Sequence, residues 1–471
     1  MKTKVNEIPL VGPKGRKELI KKMNEINESN KNNKSASDKL KVLEDIMGIT
    51  LDPDIDEKYY KYFTIEATQD GTKVYFRQSS YAANDNIVPL KVEVSTDDGT
   101  TWTEVTAAPA EDDVPGATLA ELNNGDKVLI RGRNEVYSYH SPEESYGSVI
   151  DNCIFLADSP CYVYGNIMSL VGGDDFARLR KVKEYAFEYF FSSYDGEIDQ
   201  SWVLSKDGEN LLLPATILAP RCYAYMFKGC TNLTTTPVLP ATTLVIGCYL
   251  SMFENCTGLT TAPELPATTL AEGCYGSMFK GCTSLLATPE LPATTLEKYC
   301  YSSMFEGCTD LATAPKLPAM TLAESCYNSM IKGCTGLTAA PELPATTLAF
   351  GCYNSIFKGC TGLTTAPKLP ATTLAPSCYA YMFEGCVGLT AAPELYATTL
   401  MNNCYYRMFS GCGNLSYIKA MFTTKPGSSY TGDWVENVSN TGTFVKNSAA
   451  SWNLYGTSAV PTGWTVETAS N

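Results

Sequence analysis

The chain has a single histidine among its 471 residues, which removes most acid–base and zinc-centred chemistry before any motif is sought. Basic charge is also short. Against 51 aspartates and glutamates stand 36 lysines and arginines, giving a net charge of −15 and excluding the basic stripe that nucleic-acid binding requires. No apolar run reaches the roughly 18 residues that signal a membrane-crossing helix, so no membrane insertion is expected. The opening Met1-Lys-Thr-Lys-Val-Asn-Glu-Ile8 lacks the apolar core and cleavage site of a secretory leader, so a chain made and folded in a cytoplasm is expected. Glycine-rich phosphate loops and His-Glu-x-x-His pairs are missing too, and the many serines and threonines have no partner base. Neither a cofactor nor a metal is expected.

What the chain does have is cysteine at a fixed interval. One series runs Cys222, Cys248, Cys274, Cys300, Cys326, Cys352, Cys378 and Cys404, returning every 26 residues, and a second follows eight residues behind it, from Cys230 to Cys412. This makes eight copies of one unit. A unit of this length with leucines at fixed offsets is the pattern of a leucine-rich-repeat solenoid, in which each copy buries its apolar face against its neighbours. Function must then be sought on a long ribbed surface. Two cysteines eight apart do not meet within one helix or strand, and Cys-x7-Cys is not a usual zinc spacing. The leading reading of the thiols is two columns of small buried hydrophobes. The alternative is disulfides between equivalent positions of neighbouring copies, on a strand side where the spacing is about 4.8 Å.

The remaining length divides by composition and period. Residues 1–50 read as a helical anchoring or oligomerisation segment: Leu19, Ile20, Met23 and Ile26 fall on one face, and a second helix carries Leu40, Leu43 and Met47 up to Gly48. Residues 58–165 change to the two-residue period of strands, with Phe63, Ile65, Ala67, then Val74, Phe76, then Leu90, Val92, Val94, then Val128, Ile130. A small β-sandwich is expected there, turning at Asp97-Asp98-Gly99 before a returning strand with Thr101 and Trp102, and again at Gly125-Asp126. Residues 166–210 serve as junction and irregular first unit, 211–415 as the array, and 416–471, with Trp434, Phe444, Trp452 and Trp464, as the opposite cap.

Within a copy such as Leu259 to Ser284, the residues expected to face inward are Leu259, Ala262, Leu265, Leu270, Cys274, Met278, Phe279 and Cys282, with Gly281 permitting the turn into the next copy. Comparison between copies separates wall from surface. The residue before the strand leucine runs Val238, Glu264, Glu290, Lys316, Glu342, Lys368, Glu394, and that after Met-Phe runs Lys228, Glu254, Lys280, Glu306, Lys332, Lys358, Glu384. Both columns are expected to be solvated, their mixed signs avoiding a run of like charge.

The blocks Leu-Pro-Ala-Thr-Thr-Leu, Cys-Tyr-x-x-Met-Phe and Gly-Cys-Thr-x-Leu resemble the BspA-like leucine-rich repeats of surface proteins in gut Bacteroidetes and of virion proteins in their phages. Gly165-Asn-Ile-Met-Ser-Leu170, Ser95-Thr-Asp-Asp-Gly-Thr-Thr-Trp102, Thr441-Gly-Thr-Phe-Val-Lys446 and Pro461-Thr-Gly-Trp464 extend the likeness over about residues 60–471. Departures are small: Ile331 stands for the phenylalanine, Ile356 for the methionine, Asn255 for the glycine and Tyr396 for the proline. Cell-surface members are expected to carry an export signal or lipoprotein cysteine, whereas the first cysteine here is Cys153. The resemblance implies a fold and a display role but fixes no ligand.

Candidates for chemistry are few. His140 lies in the loop-like Tyr139-His-Ser-Pro142, and Asp174-Asp175 in a glycine-rich turn. Asp52-Pro-Asp-Ile-Asp56 starts like a calcium loop, but Glu57 occupies the glycine position and Phe63 the bidentate glutamate position. Ligand contact is expected instead from exposed tyrosines, Tyr225, Tyr381 and Tyr406, and from the charged column of Glu264, Glu290, Lys316, Glu342, Lys368 and Glu394. The expectation is a non-enzymatic phage head or tail fibre in the virion. Its N-terminus holds other virion proteins, and its array meets a host glycan or protein. A fibre of this kind implies a homo-oligomer, a trimer by analogy. A bacterial cell-surface adhesin is the alternative, and a carbohydrate-active enzyme a weaker one.

Overall fold

The computed structural model of the chain describes residues 57–78, 89–109, 115–140, 149–192 and 200–469. The two expected N-terminal helices, with Leu19, Ile20, Met23 and Ile26, lie outside the described residues, as does Asp52 to Asp56. Among the described residues the chain is β-rich, with several sheets and two α-helices of four residues each, α1 (Ser169–Gly172) and α2 (Ser428–Thr431).

Ten strands precede the first helix. They are β1 (Phe63–Ala67), β2 (Thr72–Gln78), β3 (Lys91–Ser95), β4 (Thr103–Thr106), β5 (Ala108–Pro109), β6 (Ala117–Leu122), β7 (Lys127–Gly132), β8 (Ser138–His140), β9 (Val149–Ala157) and β10 (Cys161–Asn166). Two short strands follow in the junction, β11 (Val203–Leu204) and β12 (Leu211–Leu212), and three near the C-terminus, β13 (Tyr417–Ala420), β14 (Thr443–Lys446) and β15 (Thr465–Thr468). One sheet has the order β11-β10-β1-β7-β3-β4 with β12 also on β10; another has β5-β2-β9-β8 with β6 on β2. Alternation in the sequence fixes which side of each strand faces in. Ile65 pairs with Val128 on one side and Val163 on the other, and Phe63 of the first sheet meets Phe155 of the second at 5.5 Å between ring centroids.

The turn between β3 and β4 holds itself. Asp97 accepts hydrogen bonds from the Thr101 backbone N–H at 2.8 Å, the Ser95 hydroxyl at 2.7 Å and the Thr101 hydroxyl at 2.7 Å. These donors, the Thr101 amide foremost, bring its carboxyl down to about 2. Thr101 and Trp102, expected on the returning strand, belong instead to this turn. The Trp102 indole donates to the Gly99 carbonyl at 3.2 Å, and the Arg131 guanidinium lies 4.1 Å above its ring.

The first sheet does not end where the two-residue period does. Strands β11 and β12 both pair in parallel with β10, which ties the junction back onto that sheet. The aromatic run in the junction then starts a new pattern. Backbone N–H groups of Tyr185, Phe187, Tyr189 and Phe191 donate to the carbonyls of Pro220, Cys222, Ala224 and Met226 at 2.9–3.1 Å.

From there each copy lies against the next in the same way. In one, Tyr275, Ser277, Phe279 and Gly281 donate to Cys300, Ser302, Met304 and Glu306, all 25 residues ahead and at 2.7–3.0 Å. The residues between them turn back three positions, Gly276 to Gly273, Met278 to Tyr275 and Lys280 to Ser277. Such a chain of tight turns needs a left-handed residue at every fourth position, and Gly273, Ser277 and Gly281 have φ of 60°, 52° and 73°. Elsewhere in the copy, parallel bridges join Thr243 to Thr269, Thr261 to Ala287, Thr321 to Thr347 and Ala339 to Thr365.

Inside, identical side chains stack. The tyrosines from Tyr223 to Tyr405 form a column with ring centroids 5.8–6.0 Å apart and planes within 12° of parallel. A phenylalanine column runs beside it from Phe227 through Phe253 and Phe279 to Phe305 at 5.3–5.6 Å, and Ile331 continues it fully buried. Ala262, expected to face inward, is half-buried, and Pro263 and Ala267 are the buried neighbours. Ala262 still packs against the core.

All 18 cysteines are buried and free, so inter-copy disulfides are not formed. The second series does more than fill space. Its thiols donate to the backbone carbonyl 29 residues earlier, Cys282 to Phe253 at 3.0 Å and Cys308 to Phe279 at 3.1 Å, adding a weak bond between copies. Past Cys412 the sequence period disappears but the backbone pattern does not. Phe409 and Gly411 donate to Trp434 and Glu436, and β13, β14 and β15 pair in parallel through Ile418, Phe444 and Val466. One continuous apolar core runs from Phe63 to Trp464.

Candidate ligand-contacting surface

Because the interior of each copy is filled by leucine, tyrosine, cysteine, methionine and phenylalanine, only the outer columns remain to meet a partner. The charged column before the strand leucine is the more open. Glu264, Glu290, Lys316, Glu342 and Lys368 are exposed, as is Val238 at 70%. Glu394 is half-buried, and the Tyr396 phenol together with Lys419, 3.2 Å away, holds its carboxyl below the usual carboxylate range.

The other charged column departs from expectation. Lys228, Glu254, Lys280, Glu306, Lys332, Lys358 and Glu384 are all half-buried, not freely solvated. Lys228 pairs with Glu254 at 3.4 Å, Lys332 with Glu306 at 2.9 Å and Lys358 with Glu384 at 2.6 Å. Long side chains at one position of consecutive copies lie along the stack and reach each other, so alternation of sign becomes a ladder of ion pairs. Burial by itself would raise the Glu306 carboxyl, but the hydrogen bonds from Lys332 and Ser303 and the nearby Lys280 bring it below its ordinary value.

The three candidate tyrosines are not free platforms either. Tyr225, Tyr381 and Tyr406 are half-buried. Tyr225 stacks on Tyr189 at 4.4 Å with planes 2° apart, and the Lys228 ammonium sits 5.4 Å from its ring. Tyr381 meets Tyr406 edge to face at 5.2 Å and has Lys358 at 5.0 Å. Neighbours within the stack take up ring surface that a sugar would need. His140 falls on β8 with its side chain outside the described residues; Asp175 is exposed, and the Asp174 side chain lies outside the description.

Comparison between copies held a further signal, which charge and aromaticity concealed. Each Ala-Thr-Thr-Leu block exposes both threonines, as at Thr242 and Thr243, Thr268 and Thr269, Thr294 and Thr295, Thr346 and Thr347, Thr372 and Thr373, and Thr398 and Thr399. The segment after it, ahead of the first cysteine, changes from copy to copy and exposes Ile246, Tyr299, Phe350 and Met401 in four of them. From Leu213 to Ala420 ten basic residues face eleven acidic ones, so the protein's negative charge lies outside the array. An outer face of this kind offers hydroxyls, CH surface and mutually paired charges. Among the described residues no helix is long and apolar enough to cross a membrane. No protein-family model matches the chain, and no curated protein matches it.

Proposed function

We propose that the chain is a non-enzymatic structural and adhesion protein, a BspA-like leucine-rich-repeat solenoid carried as a phage head or tail fibre. In this reading the segment with Leu19, Ile20, Met23 and Ile26 docks among other virion proteins, and the array projects to touch a host-surface glycan or protein. The observation that carries it is the division of labour inside each copy. Most side chains that repeat with the period, the threonine pairs excepted, fill the interior or bond copy to copy, while the segment before each first cysteine varies and in four copies exposes a large side chain. Repetition builds reach and variation supplies a surface, which suits an extended contact better than a single cleft. Near-neutrality of the array favours a neutral partner over an anionic polymer.

Immunogold electron microscopy with an antibody raised against residues 211–415 tests the assignment. Gold on projecting appendages of purified particles is the expected result. Gold on the envelope of uninfected cells, with bare particles, would replace the fibre by a bacterial surface adhesin.

A further inference from the structure

The array is not uniform along its length. An open notch of about 370 Å³ lies between two consecutive copies, walled by Thr294, Thr295 and Leu296 of one and by Pro318, Met320 and Thr321 of the next. One departure from the repeat pattern walls it, and a second follows Leu296 by three residues. Met320 stands where Thr216, Thr242, Thr268, Thr346, Thr372 and Thr398 stand in other copies, and it is 52% exposed. Tyr299 stands where the equivalents are arginine, glycine, serine or asparagine, and is 41% exposed at a φ of 55°.

The charged side chains that follow Leu296 and Ala323 in the chain include one cation, and it is paired. Lys298 and Glu324 pair at 2.8 Å, and the Tyr299 hydroxyl donates to Glu324 at 3.3 Å. No cation is therefore left unpaired for an anionic ligand, and exposed Glu297, next to Leu296 in the chain, adds negative charge. What remains is three threonine hydroxyls beside the CH surfaces of Leu296, Pro318 and Met320.

We propose that this notch is a binding subsite of the array for a neutral oligosaccharide. The threonine hydroxyls exchange hydrogen bonds with sugar hydroxyls, and Met320 and Tyr299 cover the CH faces of the rings. The inference rests on the reading of the array as a host-contacting surface and adds the place and the ligand class. Charge complementarity selects the occupant, since a sialylated or uronate-bearing chain would find no cation that is not already paired.

The test uses the full chain on a printed array of neutral glucose-, galactose- and mannose-based oligosaccharides, with sialylated and uronate-containing ones alongside. Met320→Thr and Tyr299→Gly each install the residue other copies carry, so both variants keep their thermal unfolding transition. Each should weaken binding to neutral oligosaccharides about tenfold, corresponding to loss of one stacking contact. Val238→Thr, on an exposed site of another copy, should leave it unchanged. Binding by both variants as tight as by the parent chain would overturn the subsite while leaving the host-contact reading in place. Absence of neutral binding, or preference for the anionic set, would overturn the ligand class itself.

Discussion

Phe279 is the most informative place to disturb the stack. Its ring is fully buried and lies 5.6 Å from Phe253 on one side and 5.6 Å from Phe305 on the other, with planes 5–6° from parallel. Phe279→Ala removes that buried ring, both contacts and the volume between them, which should destabilise its neighbourhood by about 3–5 kcal/mol. The chain supplies its own control. Ile331 occupies the same position two copies on, fully buried, so Phe279→Ile should cost about 1 kcal/mol. Urea unfolding followed with amide hydrogen exchange reads both variants. In Phe279→Ala the amides of the copies around Cys248 to Cys326 should lose protection first, while those of β13 and β14 should change little, since the backbone bonds of Phe279 and its neighbours go to the adjacent copies. Equal effects of alanine and isoleucine, or an even loss of protection from β1 to β15, would refute the nearest-neighbour account.

Burial pushes the thiols of Cys274, Cys352 and Cys412 up to about 12. An unfolded thiol ionises near about pH 8.5, so this contribution to stability should be complete below that pH and decline as pH rises toward 12, as an alkaline unfolding titration would show. Thiol titration at neutral pH should find few of the 18 cysteines reactive in the native chain and nearly all in denaturant without reductant; a low denatured count would mean disulfides. Gly165→Ala should be severely destabilising, because an added Cβ would lie 2.0 Å from the Tyr62 carbonyl at a φ of 88°, whereas Gly71→Ala, with open space around it, should cost only about 1 kcal/mol of backbone strain in a thermal melt. Glu306→Ala breaks the pairs to Lys332 and Lys280 and should cost about 0.3–1 kcal/mol at low salt, shrinking as salt rises.

Much of the interior could be read from period alone. Leu259, Leu265, Cys274, Met278 and Phe279 recur at fixed offsets, and a residue that recurs without polar partners has burial as its simplest cause. Strand alternation located β1, β2, β3 and β7 for the same reason. Three things were not legible. Pro263 is buried beside a half-buried Ala262, and hydropathy does not mark a proline as interior. Lys332 and Glu306 look like solvated surface in sequence and become a pair only once neighbouring copies are stacked. Trp434 and β14 continue the backbone ladder without the motif, because hydrogen bonds between copies depend on backbone conformation and hardly on side-chain identity. The notch between Thr294 and Thr321 was concealed for the opposite reason: Met320 and Tyr299 are single exceptions, visible only against the copies that lack them.

The claim beneath all of this is that the copies are interchangeable layers, each held by the one before and the one after. Deleting residues 326–351 removes one whole period and joins Ser325 to Cys352, preserving every kind of contact between copies, whereas deleting 339–351 removes half a period and puts unlike positions opposite each other. Thermal unfolding of the two variants compares them directly. A cooperative transition close to the parent's for the full-period deletion, with collapse of the transition for the half-period one, is the predicted result, and equal behaviour of the two would contradict it.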